Sequence, residues 1–373
     1  MDLGNPHTDG MNALKKIKER KINSADDHKA GYYEGYRYGG CQAVLSRISH
    51  SSPSIRNLRV IYVTQGFEGI DGGVSAALGK LVNVCIVVSP ESMLQEVTNH
   101  RPDLVLVMNA LHVFPPDHAE QIRQIKEMGI RTAVWFVDDP YFSDDTASLS
   151  LQYDTVFTHE LESVDFYQKI GCAQVHYLPL ASNQEMFRPI HVAPEYHYDV
   201  CFIGNAFWNR VELFRQLAPF LEDKKVLIAG GHWDRLEHCG KLSRCIRHGW
   251  IPVEETVSYY NGAKIAINMH RPTTAGMDNR NGVNLTGRSI NPRTYEISGC
   301  GTLQITDIRE DLTAYYRPGY DIETFKDAAE LQSKIDYYLN HEEERQRIAW
   351  RSLWTTHQYH TYIDRLGRLL DMI

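Results

Sequence analysis

The stretch Thr132-Ala-Val-Trp-Phe-Val-Asp-Asp-Pro-Tyr141 joins an uncharged, mostly apolar run to a loop that carries two carboxylates and a proline. A continuous run of this kind is typical of a strand buried on both faces of a sheet. Helical segments separate most of the apolar runs in this half of the chain. Strands that alternate with helices predict a parallel, doubly wound sheet. The other runs lie at residues 58–63, 82–88, 104–108, 155–157 and 175–178.

A second series of apolar runs occupies residues 198–203, 225–229, 264–268 and 302–305. The chain has 373 residues, which is enough for two domains that each bury a core. We therefore predict an α/β protein with two Rossmann-like domains in tandem, over residues 55–185 and 196–350. Residues 1–54 are predicted to form a helical extension and a linker.

The helical extension carries Gly31, Gly35 and Gly39 among several tyrosines. Residues four apart share one face of a helix, so this face has no side chains and predicts a close contact with another element. That element is either the body of the protein or a second subunit, which would make a homodimer. A partly disordered leader is the alternative.

The composition is that of an ordinary globular protein, with a net charge of −8. Nucleic-acid binders need clustered Lys and Arg, so this charge argues against that class. No window approaches the length of a membrane span, and the polar start does not resemble a signal peptide. We expect a cytoplasmic protein whose seven cysteines are reduced thiols.

Ligands of doubly wound sheets bind at the carboxyl ends of the strands, so polar residues that follow the apolar runs are site candidates. In the first half these are Asp138 and Asp139, and then His159. Two adjacent carboxylates can shift each other's pKa and leave one of them ready for proton transfer. The alternatives are a turn aspartate and an ordinary loop histidine.

In the second half, glycines follow two of the predicted strands, at Gly204-Asn205 and at Gly230-Gly231. Glycine lets the backbone approach a diphosphate, and the N-terminus of the next helix adds partial positive charge. Neither a Gly-x-Gly-x-x-Gly fingerprint nor a Walker loop is present, so a nicotinamide dehydrogenase and a P-loop ATPase are unsupported. Trp250-Ile251 precedes a helix and could meet a flat base, although a core position is common for tryptophan.

The segment Ile290-Asn-Pro-Arg-Thr-Tyr-Glu-Ile-Ser-Gly-Cys-Gly-Thr-Leu-Gln-Ile305 is a helix, a glycine turn and a strand in sequence. Arg293 and Glu296 are three residues apart, which puts them on one helical face. A carboxylate suits ribose hydroxyls, and a guanidinium suits phosphate. The alternative is a helix end with an Arg–Glu pair at the surface.

Taken in order, these motifs resemble the spore maturation protein CgeB family of GT-B glycosyltransferases. The resemblance covers roughly residues 58 to 370. It is carried by Asp199-Val-Cys-Phe-Ile-Gly204, Gly230-Gly-His-Trp233, Tyr259 to Asn268, Arg293-Thr-Tyr-Glu296 with Gly301, and His360-Thr-Tyr-Ile-Asp-Arg365 in the second half. In the first half it is carried by Arg101-Pro-Asp-Leu-Val-Leu-Val107, Trp135-Phe-Val-Asp-Asp-Pro140 and Tyr177-Leu-Pro-Leu-Ala181.

The resemblance implies two domains that face each other across a cleft, with the donor in the second and the acceptor in the first. Glu296 would bind ribose, and the turn at Gly301 would lie against the phosphates. Basic side chains would replace a metal, and the terminal helix, residues 351–373, would cross back to the first domain. The implied donor-site residues are Gly204, Asn205, Arg210, Gly230, Gly231, Trp233, Trp250, Ile251, Asn268, Arg288, Arg293, Thr294, Glu296 and Gly301. The candidate catalytic residues are Asp138, Asp139 and His159.

We therefore expect a glycosyltransferase that uses a nucleotide-sugar, with a UDP-sugar favoured, and no bound cofactor or metal. The acceptor is unknown; a spore-surface or envelope protein or polysaccharide fits the resemblance. An inactive nucleotide-sugar-binding scaffold or sensor, and a nucleotide-sugar epimerase, are the alternatives because fold alone does not fix function. The histidines and cysteines of residues 232–248 lack the paired spacing of a zinc site. The polar segment 269–289 is predicted to be a lid over the donor.

Overall fold

The computed structural model describes residues 24–49, 52–276 and 278–373, apart from the side chains of residues 24–27, 29 and 30. Its centre consists of two parallel six-stranded sheets, with strand orders β2-β1-β3-β4-β5-β6 and β12-β11-β10-β7-β8-β9. The strands are β1 (Arg56–Val63), β2 (Val82–Val88), β3 (Leu104–Met108), β4 (Arg131–Phe136), β5 (Thr155–Thr158), β6 (Val175–Tyr177), β7 (Tyr198–Ile203), β8 (Val226–Gly230), β9 (Ile246–His248), β10 (Ala263–Asn268), β11 (Leu303–Asp307) and β12 (Glu323–Phe325).

Helices cover both faces of each sheet, as the alternating pattern predicts. The α-helices are α1 (Ser24–Leu45), α2 (Glu68–Leu81), α3 (Met93–His100), α4 (His118–Glu127), α5 (Ser143–Ser150), α6 (Leu161–Lys169), α7 (Trp208–Leu221), α8 (Val253–Gly262), α9 (Pro292–Gly299), α10 (Leu312–Tyr315), α11 (Ala328–Asn340), α12 (Glu342–Tyr359) and α13 (Tyr362–Met372). Among the described residues no helix combines the length and the apolar character needed to cross a bilayer.

The inner strands β3, β4 and β5 of the first sheet are buried on both faces, which explains their uninterrupted apolar runs. Successive side chains of a strand point to opposite faces, and β4 illustrates this with Trp135 in one core and Phe136 in the other. Both side chains are fully buried. The predicted α/β class and doubly wound sheets are confirmed.

Two strands of the second sheet have no counterpart among the predicted ones. These are β9 and β12, which have three residues each and form the two edges of the sheet. Edge strands of this length give too short an apolar run to stand out in a sequence. They are positioned by pairing with β8 and β11, which is a tertiary effect.

Helix α1 packs on α12, and its tight contact is not on the predicted glycine face. A Cβ at Gly40 would overlap the Trp350 ring, whereas a Cβ at Gly31, Gly35 or Gly39 would meet nothing within 4 Å. The expected close packing of that face against the body of the protein is therefore wrong. A homodimer through this face stays a prediction.

The end of the chain returns to the first sheet as α13, which packs on α2 and contributes Tyr362 and Leu366 to the first core. Thr361 begins α13 with a capping box, so the end of the chain forms two helices where one was expected. The buried Arg365 donates hydrogen bonds to the carbonyls of Pro179 and Leu180 at 3.1 and 3.2 Å, which fixes α13 to the segment between the sheets.

The segment 269–289, predicted to be a lid, bridges the two sheets. Glu160 at the end of β5 accepts hydrogen bonds from the backbone N–H groups of Arg288 and Ser289 at 2.9 and 3.1 Å. Asp144 accepts another from Gly282 N at 2.8 Å. These bonds join first-sheet side chains to second-sheet backbone, so the segment fixes the relative position of the two sheets.

The contact between α1 and α12 gives a paired test. Gly40→Ala should lower the free energy of unfolding by about 1–3 kcal/mol, because the added methyl group collides with Trp350. Gly35→Ala should raise it by about 0.5–1 kcal/mol, because alanine favours a helix and has open space there. Denaturant unfolding measures both. Equal effects of the two substitutions would contradict this packing.

Candidate active site

A cavity of about 360 Å³ lies where the carboxyl ends of the two sheets face each other. Loops after β1, β4 and β5 line it from the first sheet. Loops after β7, β8 and β9, together with the start of α9, line it from the second sheet. The cavity brings ten of the predicted site residues together: Asp138, His159, Gly204, Asn205, Arg210, Gly230, Trp250, Ile251, Arg293 and Glu296.

Arg210 is the most buried cation of this cavity, with 3% of its surface exposed. Its guanidinium donates to the carbonyl oxygens of Met269 at 2.6 and 3.0 Å and of Asn205 at 2.9 Å. Three of the five N–H groups are used in this way, so two remain for a ligand. Burial, and then the nearby Arg293 and Arg271, lower the pKa of Arg210 to about 9. A charge held under such repulsion is stabilised by an anion.

Arg271 lines the same cavity and was missed as a site residue. Its guanidinium lies over the rings of Tyr141 and Phe207, 4.5 Å from each centroid, and it donates to Asn279 Oδ1 at 2.7 Å. Burial lowers its pKa. The sequence could have indicated Arg271, because polar residues that follow strands are site candidates and Arg271 comes three residues after the end of β10.

The N-terminus of α9 points into the cavity and is held by a chain of hydrogen bonds. Asn291 caps the helix by accepting from Thr294 N at 3.1 Å. Asn291 N in turn donates to His270 Nε2 at 3.0 Å, and the other ring nitrogen of His270 lies 2.6 Å from Asp307 Oδ1. Nε2 is therefore unprotonated, and His270 is neutral with its Nδ1–H directed at Asp307. The helix end adds partial positive charge to the cavity.

Arg293 and Glu296 lie on this helix and both line the cavity, as their spacing predicts. Arg293 donates no hydrogen bond and forms no ion pair within the part of the chain that the structure describes. Burial raises the pKa of Glu296 to about 7, while the charge of Arg293 acts in the opposite direction. At neutral pH this carboxyl is close to half ionised and can accept or donate a hydrogen bond.

Trp250 is unusual because 79% of its surface is exposed although it lines the cavity. It follows β9 and the positive φ of Gly249, which turns the chain at this point. An aromatic ring left in water at the edge of a polar cavity is a suitable surface for a flat ligand ring. A core position, the alternative considered for Trp250, is excluded.

Asp138 faces the cavity from the first sheet. Asn109 holds it in place by donating to Asp138 Oδ2 at 2.7 Å, while its own Oδ1 accepts from Asp138 N at 3.1 Å. Burial raises the pKa of Asp138 above its usual value, although the hydrogen bond that Asn109 donates to the carboxylate and the charge of Arg271 act in the opposite direction. Asn109 follows β3 directly, so the rule of polar residues after strands could have found it.

His159 lines the cavity with one ring nitrogen in use. Nε2 lies 2.9 Å from the carbonyl oxygen of Asp139, which requires a proton on Nε2. Nδ1 is buried and has no partner. Burial lowers the pKa of His159 to about 4, so the ring is neutral at pH 7 and Nδ1 is a free acceptor. A ligand hydroxyl is a suitable donor to it.

Asp139 does not reach the cavity, which corrects its assignment as a candidate catalytic residue. It is 1% exposed and accepts hydrogen bonds from Thr158 at 2.6 Å and from Tyr167 at 2.8 Å. Burial raises its pKa to about 6. Neighbouring residues of this loop point in different directions, so only Asp138 is accessible to a ligand.

Several predicted donor-site residues also lie outside the cavity lining. Trp233 is buried, and its indole N–H donates to Gly204 O at 2.9 Å, so it holds the loop after β7 in place. Asn268 and Thr294 are buried and hydrogen-bonded to each other at 3.1 Å. Gly231 donates to Asn205 Oδ1 at 3.0 Å and is not part of the lining. These four residues hold the site and do not face the ligand space.

Arg288 and Gly301 also lie outside the cavity lining. Arg288 is 40% exposed and forms an ion pair with Glu310, so it does not face the cavity. Gly301 has a φ of +70° and lies against Cys41, whose sulfur would be 2.7 Å from an added Cβ. It follows the end of α9 that lies away from the cavity, so this turn does not line the cavity, and its expected contact with the phosphates stays a prediction.

The chain is similar in sequence to a described protein family and to a curated protein. Residues 210–371 match the sequence model of a family described as glycosyl transferase-like. Spore protein CgeB of Bacillus subtilis (strain 168) is 28% identical over 307 residues, which cover 78% of this chain and 91% of CgeB.

Among solved structures, Anabaena HepE in complex with UDP-glucose has a TM-score of 0.58 at 10% identity, covering 85% of this chain and 100% of HepE. Sucrose-phosphate synthase from Thermosynechococcus elongatus has a TM-score of 0.55 at 11% identity, covering 85% and 98%. The fold is GT-B. In this GT-B chain the cavity is the cleft between the two domains, as expected. Within the described residues, no group of three His, Cys, Asp or Glu side chains could hold a metal ion.

The raised pKa of Glu296 gives a pH-dependent prediction. Its folded-state pKa of about 7 lies above the ordinary value of 4.5, so its contribution to stability is present below that value and is lost as pH rises through 7. Glu296→Gln should therefore increase stability by less than about 1 kcal/mol at pH 5 and by about 3 kcal/mol at pH 8, because 2.5 pKa units correspond to about 3.4 kcal/mol.

Unfolding of both proteins at the two pH values measures this difference. Glu237→Gln is the matched control, because its carboxyl is 76% exposed, and a change under about 0.5 kcal/mol is expected at both pH values. A Glu296→Gln effect that does not depend on pH would show that the carboxyl is not perturbed.

Proposed function

We propose that this protein is a cytoplasmic, CgeB-like glycosyltransferase that moves a sugar from a nucleoside diphosphate, in the first place a UDP-sugar, to an acceptor hydroxyl. The observation that carries the proposal is the convergence of Arg210, Arg271 and Arg293 on one cavity, where none of the three forms an ion pair with a carboxylate of the described residues. A diphosphate would give these guanidinium groups an anionic partner. The cavity lies in a GT-B cleft, and the second half of the chain matches a glycosyl transferase-like family.

The diphosphate would lie between these guanidinium groups and the N-terminus of α9. As the bond between the sugar and the diphosphate breaks, negative charge grows on the leaving phosphate. Preorganised guanidinium groups and helix N–H groups stabilise such charge most where water is excluded, which is the condition of Arg210. No bound metal is needed for this role.

The nucleoside would extend from the diphosphate towards Trp250 and Glu296. The exposed indole of Trp250 offers a stacking surface for the base. The carboxyl of Glu296, one turn into α9, can accept hydrogen bonds from ribose hydroxyls. UDP is the favoured nucleotide because HepE, a structural neighbour, was solved with UDP-glucose.

The sugar and the acceptor would then contact the first domain. The free Nδ1 of His159 accepts a hydrogen bond from a sugar hydroxyl. Asp138 takes the proton from the acceptor hydroxyl as a bond forms from that oxygen to the anomeric carbon, and the nucleoside diphosphate leaves with the electron pair of the broken bond. The relation to CgeB favours a spore-surface or envelope glycan or protein as the acceptor.

Nucleotide binding provides the first test. UDP at 100 times its dissociation constant should stabilise the protein by about 2.7 kcal/mol, whereas CDP, GDP and dTDP should give smaller shifts. Arg293→Ala should abolish the UDP shift. Arg288→Ala is the matched control and should retain it, because Arg288 lies outside the cavity. Thermal unfolding with each nucleotide measures these shifts, and the absence of any shift would overturn the donor proposal.

Turnover separates an enzyme from a nucleotide-sugar-binding scaffold. Asp138→Asn should lower kcat by about 10²–10⁴-fold and leave the UDP shift in place, because general-base catalysis contributes that much to the rate. Asp165→Asn, at an exposed position of α6 in the same domain, should have wild-type activity. UDP release from UDP-glucose with candidate acceptors measures the rate. Full activity of Asp138→Asn would remove its assignment, and UDP binding without turnover of any UDP-sugar would favour the scaffold.

A further inference from the structure

A second pocket, of about 430 Å³, lies on the outer surface of the protein between the end of α1, helix α12 and the loop before β12. It shares no lining residue with the cleft. We call it the arginine pocket. Four of its nine lining residues are arginines, and none is an aspartate or glutamate: Val44, Arg47, Arg317, Tyr320, Arg347, Trp350, Arg351, Trp354 and Thr355.

The aromatic side chains of the arginine pocket alternate with its cations. Arg347 and Arg351 are four residues apart on α12, and so are Trp350 and Trp354, which gives two adjacent stripes on one side of the helix. Tyr320 lies opposite, and the guanidinium groups of Arg317 and Arg351 stand 3.8 and 4.1 Å from its ring centroid. Two cations are thereby held near one ring.

The carboxylates near the arginine pocket do not neutralise it. Asp321 lies 3.7 Å from Arg317 but is 2% exposed and already accepts hydrogen bonds from Thr355 and from the backbone of Arg317. Glu343 pairs with Arg347 at 3.3 Å, and both side chains are more than half exposed, which makes the pair weak.

Two further cations of the pocket have no acidic partner among the described residues. Arg47 and Arg351 form no ion pair with any residue of the described segments. An accumulation of positive charge in a chain of net charge −8 is unexpected for a plain surface.

We propose that the arginine pocket is a second ligand site that binds an anionic carbohydrate, meaning a sugar ring that carries a phosphate or a carboxylate. Guanidinium groups match these anions with paired hydrogen bonds. The faces of Trp350, Trp354 and Tyr320 provide apolar surface for the ring itself. The volume suits one or two sugar units. The site is separate from the cleft and does not rest on the donor proposal.

An acidic peptide would use the arginines but would leave the aromatic faces without a ring to contact. Residues 1–23 of the chain are a poor occupant as well, because this segment is basic. Its cations are Lys15, Lys16, Lys18, Arg20 and Lys21. The combination of charge and aromatic surface therefore favours a charged sugar.

Isothermal titration calorimetry on the full chain tests the proposal with trigalacturonate and with glucose 6-phosphate. At least one should bind, more weakly as salt is raised, and the one that binds identifies the anion as carboxylate or phosphate. Arg347→Ala combined with Arg351→Ala should weaken binding at least tenfold. The matched control combines Arg123→Ala and Arg215→Ala, which remove two exposed helix arginines elsewhere, and should bind as the wild type does.

Four results would overturn the proposal. Neither anionic sugar binds, or the double variant binds the anionic sugar as tightly as the wild type does. The neutral maltotriose binds as tightly as the anionic sugar, or hexaglutamate does so, which would indicate a general surface for acidic chains. Trp354→Leu provides a second variant if the arginine variant unfolds, since it keeps the charge and removes a ring. It should weaken trigalacturonate or glucose 6-phosphate but leave hexaglutamate unchanged.

Discussion

The hydrogen bonds from the backbone of Arg288 and Ser289 to Glu160 are the constraint on which the cleft depends. They join the end of a first-sheet strand to a loop of the second sheet, so the two carboxyl edges face each other at a fixed separation. The carboxyl is 2% exposed, and burial raises its pKa to about 7. A buried carboxyl is retained only where enough donors surround it, and here the donors come from both domains.

Once the two edges face each other, the polar residues that end the strands become one site. Arg210 and Arg293 come from the second domain, and Asp138 and His159 from the first. Burial, and then the repulsion from Arg293 and Arg271, lower the pKa of Arg210. The remainder of the fold must hold them in place, and the hydrogen bonds of Arg210 to the carbonyls of Met269 and Asn205 do so. The guanidinium group of Arg210 is therefore held in position without a ligand.

The helices that end the chain support the same arrangement from outside the cleft. Tyr362 and Leu366 of α13 enter the first core, whereas Ile348 and Ala349 of α12 enter the second. A single stretch of chain is thus part of both cores. The arginine pocket is on the solvent side of α12, where Arg351 and Trp354 are exposed. One helix therefore serves the packing of the second domain on one side and the proposed sugar site on the other.

The sequence alone determined the architecture, because a strand buried on both faces must be apolar throughout, as β3 is. β2, β3 and β7 have the predicted bounds. The sequence also identified the strand ends whose polar residues line the cavity. It did not determine which side chains there face the cleft. Asp138 and Asp139 are adjacent and equally acidic, yet only tertiary packing turns one to the cavity and the other to Tyr167. The same packing places the half-buried Arg271 in the cavity lining and leaves Arg288 outside it. Side-chain direction depends on contacts between segments that are far apart in the chain.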